Sequence, residues 1–125
     1  MTILYEKHSA YPDSILIRKF TGTIEVENII DSWKYLLESE LLTSKVMGVI
    51  NDISGCELVM NMASFQVLID YLKQQPIFRN LKLAVICTDP KTIVFPMIGE
   101  RQEKDLGIKP FTTLEAAERW IFTKE

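Results

Sequence analysis

Residues 45–72 restrict the chain more than any other stretch, because an apolar run passes there into a polar loop and then into a helical stripe. Val46-Met47-Gly48-Val49-Ile50 carries no polar side chain, so a strand at this position has two apolar faces and must be covered on both. Asn51 and Asp52 end the run, and Asp52-Ile53-Ser54-Gly55 opens a polar loop. From about Asn61 to Gln75, the side chains Phe65, Leu68, Ile69 and Leu72 recur at three- and four-residue steps, with Asp70, Lys73 and Gln74 off that stripe. Asn61 suits the N-cap and Pro76 the stop. A doubly covered strand feeding an amphipathic helix is a β-α unit, and such units build parallel sheets with helices on their faces.

The rest of the chain extends this pattern. Residues 3–7 are short and mixed and precede a turn at Ala10-Tyr11-Pro12-Asp13, which predicts an edge strand and a hairpin. Residues 14–20 are apolar on both faces in their front half and predict a more central strand, with Gly22 as a flexible exit. Val26, Ile29, Ile30, Trp33 and Leu37 then predict a first helix, and Glu25 and Glu27 stabilise its positive end. Gly48 marks the close approach of a packed helix. Residues 81–88 form another doubly covered strand. Asp89-Pro90 pairs a cap with a proline at the first helical position, and Pro96, seven residues past the cap, predicts a kink or split near Val94 and Phe95. Residues 108–111 read as a last short strand. Thr112 and Glu115 stand at capping-box spacing, ahead of a final helix that turns Leu114, Ala117, Trp120 and Ile121 inward.

The expected fold is therefore α/β, one domain over residues 1–125: a mostly parallel five-stranded sheet with helices on its faces and its first strand at an antiparallel edge. Open sheets of this kind hold ligands beyond the carboxyl ends of their parallel strands. Residues 21–25, 52–64 and 88–92 are expected to meet there.

Composition narrows the function classes. A chain of 125 residues, 47% apolar and 25% charged, suits one packed domain. Fourteen basic against seventeen acidic residues leave a net charge of -3, which offers no bulk attraction to nucleic acid or anionic lipid. Cys56 and Cys87 lack CxxC spacing and a nearby histidine, so no metal site is expected. Their scarcity fits a reducing, cytoplasmic setting, with a single disulfide left open. No basic segment followed by an apolar run opens the chain, and no window approaches the roughly 18 to 20 apolar residues of a bilayer span. Neither a signal peptide nor an integral membrane segment is expected. No Gly-rich phosphate loop is present, and no cofactor is expected.

Val49-Ile50-Asn51-Asp52-Ile53-Ser54-Gly55-Cys56 resembles the strand-to-loop signature of STAS domains, the anti-sigma-factor antagonist fold. Phe20-Thr21-Gly22-Thr23 before the first helix, and the closing segment from Phe111 through Trp120-Ile121, are similar to the termini of the small stand-alone SpoIIAA-like (STAS/SEC14-like) group. The resemblance implies the same order of elements over nearly the whole chain and little about biochemical activity. In antagonists of this family the loop continues into Asp-Ser-Ser-Gly at the start of the next helix, and the second serine receives a phosphate from a partner kinase. Here those positions fall on Met60, Asn61, Met62 and Ala63, none of which can be phosphorylated, and the nearest hydroxyl is Ser64. The resemblance thus implies the fold without the phosphoswitch.

Each candidate site residue has a structural use beside its functional one. Asp52 and Ser54 suit a hydrogen-bonded turn, with Gly55 in a conformation closed to other residues. The functional alternative is a small anion held by Ser54, Asn61, Ser64 and the amides of the second helix. Asp89 reads first as a helix cap. Cys56, in a loop ahead of a helix N-terminus, is either a thiol of lowered pKa or a small apolar plug. His8, the sole histidine, is expected far from the rim and so unsuited to be a base. Ile93-Val94-Phe95-Pro96-Met97-Ile98 is too apolar for a solvent face and must meet its own sheet, a second copy or an apolar ligand. The candidate crevice comprises Thr23, Asp52, Ser54, Gly55, Asn61, Ser64, Asp89 and Phe95. No nucleophile, base and orienting group converge, so an enzyme is not expected. The expected function is a non-enzymatic interaction or regulatory module, homodimeric or bound to a protein partner. The alternative is a carrier or sensor of a small apolar or anionic ligand in the crevice.

Overall fold

Backbone pairing in the computed structural model, which describes residues 1–124, places the strands in the order β1-β2-β3-β5-β6. β1 (Thr2–Lys7) runs antiparallel to β2 (Ile15–Glu25), while β2, β3 (Gly48–Asp52), β5 (Lys82–Ile86) and β6 (Gly107–Phe111) are parallel neighbours. Their register aligns Lys19, Asp52, Ile86 and Phe111 in one row, so the carboxyl ends of the parallel strands share a rim.

Two expectations about this edge are corrected. β2 does not end near Phe20 but continues to Glu25, and its outer half pairs in parallel with an additional strand, β4 (Cys56–Val59), inside the stretch read as loop. Cys56 and Leu58 alternate inward against exposed Glu57 and Val59, a period-two pattern too short at four residues to be distinctive. Gly55 has no positive φ; Gly22 does, at 81°, in the prolongation of β2. An added Cβ there would lie 3.1 Å from the backbone of Met1.

Each face of the sheet is covered by its own helices. Leu16, Phe20, Val49, Ile53, Leu83 and Ile108 face α1 (Val26–Glu38), α2 (Met62–Gln74) and α3 (Val94–Gln102). Ile15, Ile17, Ile50, Ala84 and Ile86 pack instead on Ala117 and Ile121 of α4 (Leu114–Ile121). Gly48 makes that second contact possible, since a Cβ would lie 2.8 Å from Ile121 side-chain carbons. In α1 the fully buried residue of the last turn is Leu36, with the expected Leu37 half-buried. Phe65, Ile69 and Leu72 are buried in α2 as their spacing predicts, and Pro76 opens a short 3-10 helix, Pro76–Asn80.

The last two helices start later than expected. Asp89-Pro90 begins a turn, in which Asp89 accepts from the Lys91 amide and the Thr92 hydroxyl, and α3 starts only at Val94. Pro96 is thus the third helical residue, where the missing N–H belongs to a first-turn amide, and the helix runs unbroken through it. Thr113, not Thr112, caps α4 by accepting from the Ala116 amide at 3.2 Å. Glu115 therefore falls outside the capping-box position, and Leu114 faces outward at 37% exposure.

Candidate functional site

At the rim, the predicted polar residues close on one another. Asp52 Oδ1 accepts from the Ser54 amide at 3.1 Å and from the Ser54 hydroxyl at 2.6 Å, which forms the expected Asx turn. Asn61 and Ser64 cap α2 reciprocally: the Ser64 amide donates to Asn61 Oδ1 at 2.9 Å, and the Asn61 amide donates to Ser64 Oγ at 3.0 Å. The amide and hydroxyl of Ser64 that an anion would engage are therefore both in use. Thr23 lies exposed on the outer half of β2, paired with Glu57, and Gly55 leads into β4. Asp89 serves its own turn. Among the eight candidates, only Phe95 lines the apolar cavity described below, whereas Asp52 borders a separate groove with His8 on the α4 side of the sheet.

Neither candidate for chemistry is poised for it. Cys56 is the first residue of β4 rather than a residue at a helix N-terminus, and its thiol donates to Ile53 O at 3.3 Å. Burial, followed by Cys87 and Asp52, pushes that thiol up to about 11, so it remains protonated and weakly nucleophilic at neutral pH. Cys56 and Cys87 are both free thiols. His8 follows β1, with its amide on Ile15 O at the amino ends of the parallel strands. Its Nδ1 accepts from the amides of Ala10 and Tyr11 at 3.0 and 3.2 Å, while Nε2 pairs with Glu118 Oε2 at 2.9 Å. The ring ties the hairpin to α4.

The sheet face under α1, α2 and α3 holds what the sequence reading missed. A cavity of about 90 Å³ lies between Trp33, Ile69, Leu83 and Ile108, and its open side is lined by half-buried Leu58, Met60, Leu68 and Phe95. Nearly every lining group is apolar, yet Arg18 reaches into it from β2 with only 2% of its surface exposed. Arg18 Nε donates to Asn51 Oδ1 at 2.8 Å and Nη1 to Ser32 Oγ at 2.9 Å. Asn51 is held in turn by donating to Ala84 O at 2.9 Å, and a 2.8 Å hydrogen bond joins Ser32 Oγ to Tyr5 Oη.

No carboxylate among the described residues pairs with this guanidinium. Its Cζ lies 3.7 Å from the centroid of Trp33 and 4.9 Å from that of Phe20. A desolvated cation–π contact contributes about 2 kcal/mol, against several kcal/mol for taking an ion out of water. The hydrogen bonds to Asn51 and Ser32, about 1.5–3 kcal/mol each, offset much of that cost, but no opposite charge lies beside the guanidinium among the described residues. Burial accordingly lowers its pKa to about 9, partly offset by Tyr5, and the group stays cationic at neutral pH. A sequence signal existed: Leu16 and Phe20 flank Arg18 at i±2 on a strand read as central, which turns the guanidinium toward the same covered face.

No protein-family model and no curated protein matches the chain. Solved structures do. An anti-sigma factor antagonist from Mycobacterium paratuberculosis superposes with a TM-score of 0.66 at 14% identity, over 98% of this chain and 94% of its own. A protein of the DUF3478 family from Shewanella loihica PV-4, described as having a SpoIIAA-like fold, gives 0.59 at 20% identity over 96% and 92%. The anti-sigma factor antagonist SpoIIAA in its unphosphorylated form gives 0.55 at 11% identity over 98% and 100%. With its antiparallel β1–β2 edge and otherwise parallel sheet, the chain has the SpoIIAA-like α/β fold.

Proposed function

We propose that this chain is a non-enzymatic regulatory interaction module that works without the serine phosphorylation of sigma-factor antagonists. Two of the similar structures are named anti-sigma factor antagonists, and the partner-binding reading comes to this chain from their fold. The observation that carries the departure is the cap of α2. Asn61, Met62 and Ala63 offer no hydroxyl, and phosphorylation of Ser64 would remove the proton that its hydroxyl donates to Asn61 O at 3.2 Å. The raised Cys56 thiol and the engagement of both His8 ring nitrogens by Glu118 and the amides of Ala10 and Tyr11 support a role in binding rather than chemistry.

The proposed contact region comprises Thr23, Asp52, Ser54, Gly55, Asn61, Ser64, Asp89 and Phe95, together with apolar side chains exposed on the neighbouring elements. Met62 is 56% exposed at the start of α2, and Val94 and Met97 are 43% and 39% exposed one turn apart on α3. A second copy of the chain suits this surface, because a two-fold axis buries the same apolar patch twice. Sedimentation velocity of the wild type and of Met97→Glu tests the reading. A wild-type dimer and a folded, monomeric variant are expected; a monomeric wild type, or a variant that still dimerises, would overturn self-association through α3.

A further inference from the structure

The cavity carries an inference beyond partner binding. We propose that it is a binding site for a small amphipathic carboxylate, which enters head first to pair with Arg18 and leaves its apolar tail among Leu58, Met60, Phe65 and Phe95.

Charge argues for the head group. Arg18 is a buried cation without a carboxylate among the described residues, and buried charges are ordinarily paired. Two of its nitrogens are occupied by Asn51 and Ser32, which fix the guanidinium plane, while Nη2 makes no hydrogen bond among the described residues. Among the described residues no fully buried side-chain nitrogen or oxygen lacks a partner, so Nη2, which makes no hydrogen bond there, retains some exposed surface. A monoanion balances this single charge. A phosphate dianion would carry an excess negative charge into apolar walls.

Shape argues for the tail. The chamber of about 90 Å³ is smaller than the cavity of about 150 Å³ that admits benzene in an engineered protein. It therefore holds a carboxylate with a few carbons, and a longer chain continues into the open side. The ring centroids of Phe65 and Phe95, 5.5 Å apart, bring α2 and α3 together beside that opening. Trp33, directly against the guanidinium, supplies an internal reporter, since Trp120 lies on the other face of the sheet.

The test is calorimetric titration of octanoate, 1-octanol and acetate into the folded wild-type chain, Arg18→Met and Leu58→Trp, with Trp33 fluorescence followed in Trp120→Phe alone. Octanoate is expected to bind one per chain, to perturb Trp33 and to exceed octanol and acetate in affinity by at least about tenfold. Arg18→Met is expected to lose that preference while retaining octanol binding, and Leu58→Trp to weaken both by narrowing the opening. Should Arg18→Met fail to fold by circular dichroism, the octanoate-to-octanol ratio in the wild type and the effect of Leu58→Trp decide the matter. Equal binding of octanoate and octanol, unchanged octanoate binding by a folded Arg18→Met, or no octanoate binding by the wild type would overturn the proposal. The outcome is independent of the sedimentation result, which tests self-association alone.

Discussion

Arg18 and Cys56 show how far side-chain chemistry depends on neighbours supplied by distant parts of the chain. Arg18 is separated from Ser32 by 14 residues and from Asn51 by 33, and only the pairing of β2 with β3 and the packing of α1 bring the three together. Its inward direction was legible in the alternation of Leu16, Arg18 and Phe20. Its lack of a carboxylate partner was not, because pairing is a property of the assembled face. The same distinction separates Gly55 from Gly22: both stand in turn-like sequence, but only the latter takes a left-handed φ. For Cys56 the structure predicts a pH effect with a definite sign. The folded thiol titrates near 11 against an ordinary value of 9.0, so the protonated form is favoured by folding. Its contribution is complete below about pH 9 and is lost as the pH rises toward 11. Denaturant unfolding of wild type and Cys56→Ala should therefore show the wild type losing stability relative to the variant across that window. A difference that stays constant with pH would contradict the assignment.

Helices were more legible than the short strand and the turns because their apolar residues repeat over several turns. The Phe65, Ile69 and Leu72 stripe of α2 and the inward Ala117 and Ile121 of α4 follow directly from spacing. β4 is not legible in the sequence because four residues beside an extension of β2 give almost no periodic signal, and its pairing depends on how far β2 runs past the rim. α3 was misplaced because Asp89-Pro90 satisfies a turn as readily as a helix start. The Gly48 reading was structural and specific: a helix must come close, and α4 does. Gly48→Ala should destabilise the protein by about 1–3 kcal/mol, the usual range for an overpacked core. Ile121→Ala should relieve the clash, so that the double variant is less destabilised than the sum of the two single changes. Simple additivity in thermal or denaturant unfolding would show that α4 does not pack against β3 as described.

At the scale of the whole molecule, the order of elements predicted the sheet, and the common register of β2, β3, β5 and β6 brings their carboxyl ends to one rim. The polar turns at that rim form small closed hydrogen-bonded units, and the buried cation lies beneath the helices on one sheet face. Residue types alone favoured the rim because Asp, Ser and Asn are visible there as chemistry, whereas an arginine in an apolar strand looks like an interruption. The proposed function is binding without catalysis, and regulation without a phosphorylated serine at the head of α2. Intact-mass spectrometry of the chain isolated from the cells that produce it tests this most directly. The account predicts a polypeptide with no phosphoryl group on Ser54 or Ser64, and a substantial phosphorylated fraction on either residue would contradict it.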